Sequence, residues 1–132
     1  MRKLALGAVL AIAMLAAEQG FAANATLKAA IVEARTTLVA MLQDPAKRGP
    51  DQQAVVKKSA DAVSEMLTKI KPAAGKEAVF KELVDLWTAF KKTREEELVP
   101  AIIAGKQAEA DKIGLGIQKE RLDKIMAIVD AM

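Results

Sequence analysis

The sequence predicts an all-α protein, an antiparallel up-down-up-down four-helix bundle, and three observations lead there. Composition is 52% hydrophobic but only 3% aromatic. The excess lies in alanine, leucine, isoleucine, valine and methionine, which suit helix packing better than a sheet. Four stretches carry apolar residues at steps of three and four, the spacing that lines one face of a helix. The breaks between them are short and rich in glycine and proline, and short connections make neighbouring helices antiparallel.

Residues 1–22 read as a cleavable secretory signal. Arg2 and Lys3 open it, Leu4 to Ala17 is an apolar run of 14 residues, and Glu18-Gln19-Gly20 is a polar spacer. Small residues at Gly20 and Ala22 set cleavage after Ala22, with Ala23-Asn24-Ala25 as a second acceptable site. An uncleaved anchor fits less well, because crossing the hydrocarbon core takes about 20 apolar residues. No cysteine follows the run, which excludes a lipoprotein. The pattern is bacterial, and the expected mature chain, 23–132, is a single periplasmic domain.

The first helix is expected from about Ala25 to Gln43, with Asn24 or Thr26 suited to cap it. Its stripe is Leu27, Ile31, Ala34, Leu38 and Met41, and Asp44-Pro45 stops it. After the loop Lys47-Arg48-Gly49-Pro50, the second helix runs from Pro50 or Asp51 to Ile70. Proline is well placed there, because its missing N–H falls in a helix's first turn. Val56, Ser59, Val63, Met66 and Ile70 form the stripe, widened by Ala60 and Leu67.

Lys71 to Gly75 makes the second turn, and the third helix starts near Lys76. Its stripe of Phe80, Leu83, Trp87 and Phe90 holds the only tryptophan and two of the three phenylalanines. Pro100 should kink it, by removing one backbone bond and crowding the preceding turn. Gly105 should end it, as glycine commonly does just past a helix.

The fourth helix is expected from about Lys106 to Ala131, with Leu115, Leu122, Ile125, Val129 and Met132 inward. Gly114 and Gly116 each weaken it by about 1 kcal/mol relative to alanine, to allow a close helix approach or to leave room for a ligand. At about 1.5 Å per residue, the longer third helix should overshoot the first and leave that end open, mobile or covered by a partner.

The absences narrow the function. Without cysteine there is no disulfide framework, thiolate metal site or covalent haem attachment. Without histidine the usual general base and the commonest zinc ligand are missing, so Ser59 and Ser64 have nothing to activate them. Three successive glutamates, Glu95 to Glu97, point about 100° apart on a helix and do not converge on one cation. Met41, Met66, Met126 and Met132 are scattered, and on core stripes methionine is filler rather than a copper ligand. Removing the signal subtracts Arg2, Lys3 and Glu18 from 20 cations and 17 anions, leaving a net charge of +2. Its charges are interspersed, which is not a nucleic-acid footprint. No enzyme, metal or cofactor is expected.

One constellation carries a binding expectation. Continuing the third stripe beyond Phe90 gives Arg94 and Glu97, and stepping back along the fourth gives Asp111. A guanidinium there is built to hold a carboxylate or phosphate, with Trp87, Glu97 and Asp111 around it. The plainer alternative is an Arg94–Asp111 ion pair in a half-solvated bundle end.

Leu86-Trp87-x-x-Phe90, the following acidic stretch, Ile102-Ile103-Ala104-Gly105-Lys106-x-Ala108-Glu109-Ala110 and Arg121-Leu122-x-x-Ile125 together carry a resemblance. They resemble the second half of the periplasmic four-helix sensor domain of methyl-accepting chemotaxis receptors. That resemblance implies small-molecule binding, often at a dimer interface, but no ligand motif transfers residue by residue. Those receptors run on into a second membrane span and a signalling rod, whereas this sequence stops at Met132, so a free-standing bundle is expected. The size and the last turn are also similar to periplasmic b-type cytochromes, whose haem needs a histidine this chain lacks. The expected function is an exported binding module for a small ligand or a membrane-protein partner, as a candidate homodimer. The alternative is a structural or chaperone-like helical protein without a small ligand.

Overall fold

The computed structural model describes residues 24–132, and every regular element among them is helical. The expected signal peptide lies outside the described residues. Helix α1 covers 24–43, and all five residues of its stripe are buried. It ends where Asp44 accepts a hydrogen bond from the Ala46 amide at 3.0 Å, opening a single 3₁₀ turn, Pro45–Lys47. Helix α2 (Pro50–Lys69) starts on its proline, with Asp51 in the electropositive first turn. Val56, Ala60, Val63 and Leu67 are its buried line, which moves Ser59, Met66 and Ile70 to the flank of the stripe.

The third rod is not one regular helix. Helix α3 (Glu77–Thr93) passes into a π-helical turn, Arg94–Leu98, and then into α4 (Val99–Ile103). In that turn the Val99 amide bonds back to the Arg94 carbonyl, five residues away instead of four. Pro100 supplies the reason: it has no N–H for the carbonyl of residue 96, and its ring would press on that carbonyl in a regular helix. The expected disturbance at Pro100 is thus a widened turn. Its closing end is a Schellman motif: Lys106 bonds to the Ala101 carbonyl and Gly105 to that of Ile102. Gly105 sits at φ +73°, in the left-handed region that glycine adopts without penalty.

The fourth rod is also divided, into α5 (Gln107–Leu115) and α6 (Ile117–Ala131). Gly116 leaves helical geometry at φ −97°, ψ −109°. A Cβ on Gly116 would stand 2.6 Å from the Lys112 carbonyl oxygen, so a side chain does not fit the break. At Gly114 it would make ordinary contacts of 3.8 Å with Leu42 and 3.9 Å with Leu98. Glycine is needed at 116 to break the helix, and at 114 no close approach demands it. The break also overturns the expectation for Leu115, which is 70% exposed, with Ile117 at 45%. Stepping back from Leu122 by one turn instead reaches Gln118, which is buried.

Two cores form. The larger is aromatic: Leu83, Trp87 and Phe90 pack with Leu27, Ile31, Ala34, Ala60, Val63, Leu67, Ile125 and Val129. The smaller is aliphatic: Leu98, Ala101 and Ile102 pack with Leu38, Met41, Val56 and Ala110. At the end expected to be open, mobile or covered by a partner, α4 packs its apolar residues onto the last turns of α1 and the early turns of α2.

Candidate functional site

Between the two cores lies a buried polar layer, and Arg94 is its centre. The side chain leaves the first residue of the π turn and is fully buried. Its guanidinium donates to the Ala34 carbonyl at 2.6 Å, the Val56 carbonyl at 2.8 Å and Ser59 Oγ at 3.4 Å. It therefore joins three rods: α3 supplies the cation, while α1 and α2 supply acceptors. Thr37 bonds Ser59 across α1 and α2 at 3.0 Å, and Gln52 donates to the Thr37 carbonyl at 3.0 Å.

Among the described residues, no carboxylate hydrogen-bonds to the Arg94 guanidinium. Burial lowers the Arg94 pKa to about 10, with Glu95 opposing the shift, so the group stays charged at neutral pH. Carbonyl dipoles take the place of a counter-ion, and charge-assisted bonds of this kind offset part of the desolvation cost. Every buried side-chain nitrogen and oxygen among the described residues has a hydrogen-bond partner.

A second set of bonds at the same level ties α3 to α6. Gln118 donates to the Phe90 carbonyl at 2.8 Å. Arg121 donates to Thr93 Oγ1 at 2.7 Å and to Gln118 Oε1 at 3.0 Å. The cross-section at residues 93–94 is thus polar through all four rods.

The four candidate residues do not converge. Trp87 lies in the aromatic core, its ring 5.3 Å from that of Phe90, and its indole N–H donates to Ser64 Oγ at 3.0 Å. Glu97 is exposed, because the inward line continues from Arg94 by four residues to the buried Leu98, not by three. Asp111 is half-buried at another corner, accepting from Gln107 at 3.0 Å. Gln107 in turn accepts from Arg48 at 2.9 Å, and Arg48 donates to the carbonyls of Met41 and Leu42 at the end of α1. Neither the Arg94–Asp111 ion pair nor a shared pocket is formed.

Sequence reasoning missed Thr37, Gln118 and Arg121. Gln118 had a signal, since it continues the Leu122, Ile125, Val129 stripe backwards. Ser59 lies on its predicted stripe, and its hydroxyl serves as an acceptor for Arg94 and a partner of Thr37. On the surface beside this layer, Lys91 bridges Asp61 at 3.0 Å and Glu95 at 2.9 Å, and Lys57 bonds the same Asp61 at 2.8 Å. The Lys57 and Lys91 bonds hold the Asp61 carboxyl below its usual pKa, and the Glu95 bond leads in raising that of Lys91.

A shallow, charged groove between α3 and α6 is lined by Ala78, Lys81, Glu82, Asp85, Leu86 and Lys124. Among the described residues, no group of three or more carboxylates is placed to hold a metal ion. What the Arg94 layer does chemically is bind its own main chain. No protein-family model, curated protein or solved structure matches the chain.

Proposed function

We propose that the protein is an exported, sensor-like helical-bundle module that works by docking on a membrane-protein partner. The observation that carries this reading is the apolar pair Leu115 and Ile117, held outward on both sides of the Gly116 break. Exposed Lys112 and Lys119 flank the pair, which suits a partner with an apolar contact and an acidic rim. The alternative of an internal small-ligand site has less support, because the Arg94 donors are occupied by Ala34, Val56 and Ser59.

Antiparallel up-down-up-down neighbours are part of the proposal. Lys28 bonds Asp130 at 2.7 Å, joining the start of α1 to the end of α6. Arg48, just past α1, reaches Gln107 at the start of α5. Periplasmic location rests on the basic start, apolar run and small-residue site of the first 22 residues. Among the described residues, no helix is long and apolar enough to cross a membrane.

A photo-crosslinking side chain at Leu115, compared with the same group at the exposed Val32 on α1, tests the docking surface. Position 115 should give one discrete membrane-protein adduct, lost on Ile117→Lys, and position 32 should not. Identical adducts at both positions would sink the reading. A melting temperature that rises with the concentration of an amino acid, organic acid, phosphate, divalent metal or haem would replace the partner by a small ligand.

A further inference from the structure

Three irregularities meet at one level of the fold. The π turn interrupts the third rod at Arg94–Leu98, and the Gly116 break interrupts the fourth. Between them lies the polar layer of Arg94, Thr37, Ser59 and Gln118, which separates the aromatic core from the aliphatic one. The two backbone irregularities have separate local settings: Pro100 follows the π turn, and at the break only glycine fits, because a Cβ at 116 would meet the Lys112 carbonyl. Their coincidence is what a joint requires. A continuous apolar core resists shear because its side chains interdigitate. A layer of hydrogen bonds to main-chain carbonyls can exchange partners over short displacements.

The rods differ across this level. On the aromatic side α3 and α6 run without interruption, and Gln118 and Arg121 fasten α6 to the last turn of α3. On the other side, α4 has 5 residues and α5 has 9, and they are linked to each other by the Schellman turn at Gly105. Helices so short have little stability of their own and depend on tertiary contacts. Their buried anchors are Ala101, Ile102 and Ala110, which with Leu98 of the π turn pack on Leu38, Met41 and Val56, with Leu42, Val99 and Ile113 half-buried around them.

We propose that α4 and α5 form one cooperative unit that loosens and opens at the π turn and the Gly116 break, while the aromatic half stays folded. This goes beyond the docking reading and stands without it, because it rests on the two breaks, the polar layer and the short helices between them. The joint would let α5 and Leu115 open without unfolding the aromatic core, a local opening bounded by the two breaks.

Hydrogen exchange of the protein as purified from its producing cells tests this without a mutation. Amides of 101–115 should exchange together, at least about ten-fold faster than those of Leu83–Phe90 and Ile125–Val129. Gly116→Ala, which cannot keep the present break, should speed the 101–115 set several-fold and leave the aromatic set unchanged. Arg94→Met, which replaces the polar layer by apolar packing, should narrow the gap to less than about three-fold as the two cores become one cooperative unit. A single exchange rate for both sets in the unmutated protein would overturn the proposal. So would Gly116→Ala moving both sets equally. If Gly116→Ala does not fold, the unmutated gap and its narrowing in Arg94→Met decide the matter.

Discussion

The two halves of the molecule solve the same packing problem with different materials. On one side of Arg94 the rods are long and regular, and Trp87 and Phe90 fill the space between them. On the other side the chain uses short pieces, α4 and α5, and small residues, Ala101 and Ala110. An aromatic side chain removes about 150–250 Å² from water, so few are needed to hold four rods together. Among the described residues, the aliphatic half has no aromatic residue in its core, and it gets its order from the turn at Gly105 and the Arg48 bonds to the end of α1. The difference teaches that this helical fold is built of an aromatic half and an aliphatic half, with a charged side chain marking the boundary.

The largest effect expected is in the aromatic half. Trp87→Ala should cost about 3–5 kcal/mol, the range for deleting a large buried aromatic. Measured by urea unfolding, it should exceed the cost of Ile102→Ala, about 2–4 kcal/mol in the other half. Equal losses would erase the contrast between the halves.

Next comes the boundary. Arg94→Ala should cost about 3 kcal/mol, from a cavity and the lost bonds to Ala34, Val56 and Ser59. Arg94→Met should stay within about 1 kcal/mol of the parent, since a buried charge contributes little net stability over an apolar residue of similar volume. If the methionine variant is as unstable as the alanine one, the carbonyl bonds stabilise more than their desolvation costs.

The smallest effect lies on the surface ladder between α2 and α3. Asp61 has a lowered folded pKa, so its contribution is present above the unfolded value of 3.8 and lost as pH falls through the folded one. Lys91 has a raised folded pKa, so its contribution is present below 10.5 and lost as pH rises through the folded value. Asp61→Asn should therefore flatten the acid edge of the stability profile and leave the neutral plateau nearly unchanged, as exposed pairs contribute little. A large drop at pH 7 would show that the ladder, not the cores, holds α2 to α3.

Much of the fold was legible because it follows from period and punctuation. Leu27 through Met41 are inward as spaced, Asp44-Pro45 and Gly105 stop the helices they follow, and Leu83, Trp87 and Phe90 share one core. The failures fall at the two irregular turns. A stripe stepped on from Arg94 by three reaches Glu97, but the inward line runs four residues on, to Leu98 in the π turn. A stripe carried across Gly116 reaches Leu115, but the break turns it to solvent.

Arg94 shows the same limit from another side. Its spacing pointed inward, and inward it goes. Its partners, though, are the carbonyls of Ala34 and Val56, groups that every residue carries and no sequence motif marks. The sequence by itself determined the helical class, the stripes and the stops, because these depend on side-chain spacing and on what glycine and proline allow. Only the tertiary structure decided that the charge at Arg94 would be consumed inside the protein, because acceptors on two other helices meet it there.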